Sequence, residues 1–213
     1  MSRRESDSRG EKAMGVFLDK YFYSKAQEKR LLSYVERIYD KKLQLQGIDV
    51  LIDNRNIDEK AQLYYINNPV DSFAFEIDYF SEERGHIVDG WFINDSNKTD
   101  DYLLLWIEKA RTTEINRLVA EDFENVSVDL ISKKHIKAYL DGLGISNAVL
   151  KKKALEMRKN KLKRVDFSDD IHLSYSMKGY AEEPINLVIK KKVLDEISTK
   201  QYKISKTDIN VLK

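Results

Sequence analysis

The chain has 213 residues, 42% of them hydrophobic, enough for one sizeable domain with a buried core. Charged residues make up 34%, but 37 basic and 36 acidic side chains leave a formal net charge of +1, so overall charge does not mark a nucleic-acid binder. The absence of cysteine excludes disulfides and thiolate metal sites, and His86, His135 and His172 lack metal-ligand spacing.

No apolar run reaches membrane-spanning length, and the start, MSRRESDSRGEK, has no apolar signal core. The expectation is a soluble, cytoplasmic protein with no membrane partner. Only two prolines occur, with no repeat or low-complexity linker. The reading is a disordered tail over 1–10 and a single domain over 11–213. Its core spans 11–110, and a basic portion of helices and late strands follows over 111–213.

From Lys12 to about Leu45 the periodicity predicts helix, with Phe17, Tyr21, Leu31, Val35 and Ile38 as the apolar stripe and a break near Tyr23-Ser24. Gly47 is a natural stop. IDVLID and IDEKAQLYYI then read as strands joined through Asn54-Arg55-Asn56. SFAFEIDYF (72–80), GWFIN (90–94) and DYLLLWIEK (101–109) follow as strands. The stretch TTEINRLVAEDFENVSVDLIS has no clear period. KKHIKAYLDGLG reads as a short helix closed by Gly142 or Gly144, and SNAVLKKKALEMRKN as a helix capped by Ser146. IHLSYSM and PINLVIK are late strands, and KKVLDEIS a terminal helix. The sum is α+β, with a mixed or antiparallel central sheet and a long helix before it.

The segment QGIDVLIDNRNIDEKAQLYYI, 46–66, places acids and a lysine where apolar residues pack better. Strand alternation puts Asp58, Lys60 and Gln62 on one face, with Ile57, Glu59, Ala61 and Leu63 on the other. An antiparallel partner brings Asp49 across from that polar row and leaves the Glu59 backbone carbonyl beside it. Two carboxylates and a carbonyl are an adequate protein share for magnesium, which keeps several waters. A cation with a neighbouring lysine is what phosphodiester hydrolysis requires. An acid-x-Lys triplet alone is weak, because composition supplies roughly six acid-x-base triplets by chance. Taken singly, Asp49 and Asp58 also fit a solvated face or a turn cap, and Lys60 an exposed ion pair.

In context, with GIDV carrying Asp49 and IDEKAQ carrying Asp58, Lys60 and Gln62, the segment resembles the PD-(D/E)XK nuclease superfamily, the restriction-endonuclease-like fold. The resemblance covers the opening helix through about Trp106, in the order helix, strand, strand, strand. Ile48 stands where the proline of the family's name would be. The resemblance implies a restriction-endonuclease-like core, its central sheet flanked by helices, followed by a helical C-terminal part. It implies that Asp49 and Asp58 bind Mg2+ or Mn2+, with the Glu59 carbonyl as a third ligand. It further implies that Lys60 assists the attacking water and that Gln62 supports the site. Some members add an acid from the preceding helix; Glu36 is the first candidate, then Glu28 and Asp19. Glu76 is a further candidate acid.

Trp91 and Trp106 lie in apolar stretches and read as core. Between Lys133 and Arg164 eleven basic residues face two acidic ones, a local charge of +9. Such a run is ordinarily a solvated face; beside a nuclease site it suits phosphate contact through Lys133, Lys134, Lys137, Lys151, Lys152 and Lys153. The expected partner is DNA, with RNA or branched DNA as alternatives, and a homodimer is the natural assembly for double-strand cleavage. The rival reading is a catalytically inactive nucleic-acid-binding or assembly protein with the same fold.

Overall fold

The computed structural model describes residues 3–177 and 182–213, and the side chains among them from residue 5 onward. The fold is mixed α+β, with two sheets and six α-helices among the described residues. The chain divides into two compact units, where the sequence reading has a single domain. The first comprises Met1–Val70, Thr99–Lys133 and Ser198–Lys213, and the second Asp71–Lys98 and Lys134–Ile197.

The first unit opens with α1 (Arg3–Leu18), which continues through a π-helical turn (Asp19–Tyr23) into α2 (Ser24–Glu28). Of the tail expected at 1–10, residues 1–2 lie outside the described residues and 3–10 open this helix. The reason is packing: Gly10 is buried, and a Cβ there would come within 2.7 Å of Ile115 Cγ2 and 2.9 Å of Leu63 Cδ1. Ala13, Met14, Phe17, Leu18, Phe22 and Ala26 extend the buried stripe at spacings of three and four.

The helix expected to reach Leu45 stops where Arg30 turns left-handed, at φ 57°. Val35, β-branched and better suited to a pleat, lies instead in β1 (Val35–Arg37). A single turn, α3 (Lys41–Gln44), follows, with the Asp40 carboxylate accepting from the Lys42 and Leu43 amides at 2.7 and 3.2 Å. Next come β2 (Val50–Ile52) and β3 (Arg55–Ala61). They join through Asp53 and Asn54, both at positive φ, and not through the expected Asn54-Arg55-Asn56. Asp and Asn tolerate that conformation, which a tight hairpin demands at both central positions.

β6 (Asp101–Ala110), β7 (Phe123–Ser132), β11 (Lys200–Ser205) and β12 (Ile209–Val211) complete a seven-stranded sheet. Its order is β1-β2-β3-β6-β7-β11-β12, and β3 with β6 is its one parallel pair. β6 is central, so most of its residues are buried regardless of alternation, Trp106 among them at 2% exposure. Leu103, Leu105 and Ile107 of β6 join Val126 and Val128 of β7, Tyr202 of β11 and the α1 stripe in one apolar core.

The second unit is built on an antiparallel sheet of order β5-β4-β10-β9-β8. Its strands are β4 (Ser72–Ser81), β5 (His86–Asp89), β8 (Arg164–Asp166), β9 (Ile171–Tyr175) and β10 (Ile185–Lys190). GWFIN, expected as a strand, is a turn instead: the Gly90 amide donates to the Ile77 carbonyl and that of Phe92 to Glu76. A Cβ on Gly90 would lie 2.5 Å from the Glu76 carbonyl oxygen, so only glycine fits this approach.

The helices α4 (Lys133–Gly142), α5 (Asn147–Asn160) and α6 (Lys191–Ile197) belong to this unit apart from Lys133. Gly144, at φ 75°, ends α4, with the Ile145 amide donating back to Leu140. Ser146 caps α5. The portion over 111–213, expected as helical with late strands, therefore alternates helices with strands β7 to β12. No helix among the described residues is long and apolar enough to cross a membrane.

Candidate metal and phosphate site

Gly47, at φ 74°, lets the chain leave α3 and enter β2, and the Thr99 hydroxyl holds the Gly47 carbonyl at 2.8 Å. Asp49 follows directly and is fixed three ways. Its amide donates to Ile57, its carbonyl accepts from Ile38, and its Oδ2 accepts from the Glu59 amide, each at 2.9 Å. The carboxylate thus takes the place of a strand acceptor where β2 has not yet begun.

On β3, Asp58 is 2% exposed and Lys60 Nζ lies 2.6 Å from its Oδ1. The other oxygen, Asp58 Oδ2, is buried with no hydrogen-bond partner. A buried carboxylate oxygen without a donor is costly and calls for an explanation beyond packing. Tyr102 of β6 is the register neighbour of Asp58, and burial, followed by the Asp58 charge, pushes its hydroxyl well above the usual range.

The charges are coupled. Burial, then the nearby Asp58 charge, pushes the Asp49 carboxyl up to about 7, against the opposing pull of Lys60. For Lys60, burial is the largest influence and acts to lower its pKa. Asp58 and Asp49 outweigh it, so the amine is held above its usual value and stays an ammonium.

A third acid enters from α1. Glu11 sits at the rim with its side chain exposed, yet protein packed around its carboxyl raises its pKa. Lys60 opposes that rise, while Asp7 and Asp58 add to it. Glu11 therefore lies within electrostatic reach of Lys60 and Asp58. Nothing in the sequence pattern marks Glu11, since the periodicity starts the helix at Lys12. The stripe at 13, 14, 17 and 18 was the signal that could have extended the helix backward.

Among the described residues, no three histidine, aspartate or glutamate side chains converge as a ready metal cage. The donor set nonetheless fits a magnesium-like ion, which needs few protein oxygens. Asp49 and Asp58 supply carboxylates, and the orphaned Asp58 Oδ2 is an acceptor awaiting a cation or a donor. The Gln62 amide donates to the Leu105 carbonyl, so residues of its parity on β3 turn their backbone groups toward β6. Glu59, of the opposite parity, has its amide on the β2 side, donating to Asp49 Oδ2, and strand geometry puts its carbonyl on that same side.

The remaining candidates are placed elsewhere. Glu36 is on the exposed face of edge strand β1 and bonds the Tyr34 hydroxyl. The charges acting on Asp49 and Lys60 include Glu59 and Glu11 but not Glu36. Glu28, exposed, ends α2, and Asp19 is held by Arg37. Gln62 lies just beyond β3, where its side chain brackets the Val70 backbone, accepting from Val70 N at 3.2 Å and donating to Val70 O at 3.4 Å. Glu76 is on β4 in the second unit and packs under Gly90.

Lys133, Lys134 and Lys137 are on α4, and Lys151, Lys152 and Lys153 on α5. Of these, Lys151 bridges to Asp89 at 2.7 Å and Lys153 to Glu156 at 2.9 Å. Compared with models of protein families, with curated proteins and with solved structures, the chain matches none.

Proposed function

We propose that the protein is a metal-dependent nuclease that hydrolyses DNA phosphodiester bonds at the Asp49–Asp58–Lys60 site. The observation that carries this reading is the buried, partnerless Asp58 Oδ2 beside Asp49, with Lys60 closed over the other oxygen. The local order gives partial support: an opening helix precedes the β2–β3 hairpin that flanks and carries the site residues, while SFAFEIDYF, the third strand of the resemblance, lies in the sheet of the second unit.

Asp49, Asp58 and the Glu59 carbonyl would hold the cation, and Glu11 would take the place of Glu36 as the acid contributed by the helix. A divalent cation supplies charge neutralisation at the scissile phosphate and acidifies the attacking water. Lys60, held above its usual pKa by Asp58 and Asp49, would orient that water and offset phosphate charge. In the reaction the water oxygen would bond to phosphorus and release its proton to solvent, one P–O ester bond would break, and the leaving oxygen would take up a proton from solvent. The exposed lysines of α4 and α5 contact the DNA backbone without reading sequence. Cleavage of both strands is the work of a homodimer.

The test is to titrate Mg2+ and Mn2+ against the wild type and Asp58→Ala, following thermal stability together with cleavage of plasmid, single-stranded DNA and RNA. Ion-dependent stabilisation and cleavage, both lost in the variant, establish the site, and the preferred substrate shows whether DNA is right. Nucleic-acid binding that is indifferent to both ions and to Lys60→Ala, with no cleavage, would replace this reading with a non-catalytic binding protein.

A further inference from the structure

Adjacent residues on β3 face opposite ways, and behind the proposed cation site Glu59 enters a second cluster of charges. Both of its carboxylate oxygens are taken: Tyr23 Oη donates at 2.5 Å and Arg37 Nη1 at 2.6 Å. Arg37 is itself anchored, with its Nη2 2.7 Å and its Nε 3.0 Å from Asp19 Oδ1 and its Nη2 3.3 Å from the Gly15 carbonyl. Its guanidinium also lies over the Tyr23 ring, 5.6 Å from the centroid. The side chains of Arg37 and Glu59 are only 15% and 11% exposed.

Asp19 and Tyr23 are the two ends of the π-helical turn between α1 and α2. Such turns interrupt regular helix and recur at functional positions. Here the turn supplies Tyr23 to Glu59 and Asp19 to Arg37, which itself comes from β1. A hydrophobic residue at 59 would satisfy the sheet as well, and Tyr23 and Arg37 would then need other partners.

We propose that Glu59, clamped by Tyr23 and Arg37, is a positioning residue that sets the cation affinity of the Asp49–Asp58 site. It acts through its own backbone. With the side chain held on one face of β3, rotation about the Glu59 Cα is restrained, so its amide stays on Asp49 Oδ2 and its carbonyl, in the following peptide, stays on the same side of the strand. Outer partners of this kind orient ligands they do not themselves replace. The inference rests on the cation site proposed above and assigns a role to a cluster that the site chemistry leaves unused.

The experiment is calorimetric titration of Mn2+ into the full chain, with thermal unfolding of each variant alongside. Asp49→Asn serves as the reference for loss of the site. Glu59→Leu is expected to weaken Mn2+ binding about tenfold, the scale of outer-partner substitutions. Glu59→Gln, which still offers Arg37 an oxygen, falls between Glu59→Leu and wild type. Tyr23→Phe removes one hydroxyl, keeps the ring, and weakens binding severalfold; it carries the test if Glu59→Leu does not fold. Equal affinity in wild type and the folded variants, with only the melting temperature lowered, would make the cluster purely structural and overturn the inference. Wild-type protein that binds no Mn2+ removes the cation site, and the inference with it.

Discussion

Two buried aspartates on strands, one in each unit, meet a cation in different ways. Asp78 on β4 is 9% exposed and receives Arg158, whose Nε lies 3.1 Å from Oδ1 while its Nη2 bonds both Asp78 and, at 2.9 Å, the Glu183 carbonyl. Arg158 also stacks on Tyr175, 4.9 Å from the ring centroid, and the Tyr175 hydroxyl donates to Glu183. Asp58 on β3 has only Lys60 on one oxygen and nothing on the other. A planar guanidinium with many donors fastens a structure, whereas a point-charge ammonium leaves an acceptor open. The Asp78 cluster closes on itself, whereas one Asp58 oxygen is left without a partner, and on the proposed reading that oxygen is where a ligand binds.

The sharpest way to break that contrast is Arg158→Ala. It strands a buried Asp78 and is expected to destabilise the protein by about 3–5 kcal/mol in urea unfolding, while Mn2+ affinity of the folded protein stays as in wild type. Asp58→Asn should do the reverse. Cleavage is expected to fall at least about 100-fold, roughly 2.7 kcal/mol in the barrier, while unfolding shifts by less than about 1 kcal/mol. A variant of Asp58 as unstable as Arg158→Ala would erase the distinction between the two clusters.

A smaller effect comes from Asp49. Its carboxyl titrates near 7 when folded, against an ordinary value of 3.8. Between those values the folded state holds a proton that the unfolded state has released, so stability falls as pH rises from about 4 to about 7 and then levels. Asp49→Asn should remove that slope and gain about 2 kcal/mol at pH 7.5 once solvent screening is allowed for, measured by thermal unfolding from pH 4.5 to 8. Since the cation competes with the same proton, Mn2+ affinity should climb with pH through about 7 in wild type. The smallest expected change is Glu11→Gln, a three- to tenfold loss of Mn2+ affinity, about 1 kcal/mol, with Glu36→Gln unchanged. Equal losses at Glu11 and Glu36 would return the third acid to the edge strand.

Glu11 and Glu36 also show where reading the chain runs out. Val35 and Ile38 fall at helical spacing after Leu31, and only the left-handed turn at Arg30 and pairing with β2 make 35–37 a strand. In the same way GWFIN has strand composition, but Gly90 folds tightly against Glu76 and turns it. These are tertiary overrides of a local pattern. The polar alternation of Asp58 and Lys60 against Ile57 was legible because strand geometry alone places them on one face.

The sequence by itself determined the α+β class, the strand that carries Asp58 and Lys60 and the one that begins just after Asp49, and the capped helix after Ser146. Each of these follows from short-range periodicity or a cap, which needs no distant partner. Only the tertiary structure decided that the chain forms two units with interleaved segments and that β3 runs parallel to β6. It alone brought Glu11 into reach of Lys60 and set Tyr23 and Arg37 on Glu59. Those outcomes depend on contacts between residues tens of positions apart, chosen by which buried charges could find partners and which could not.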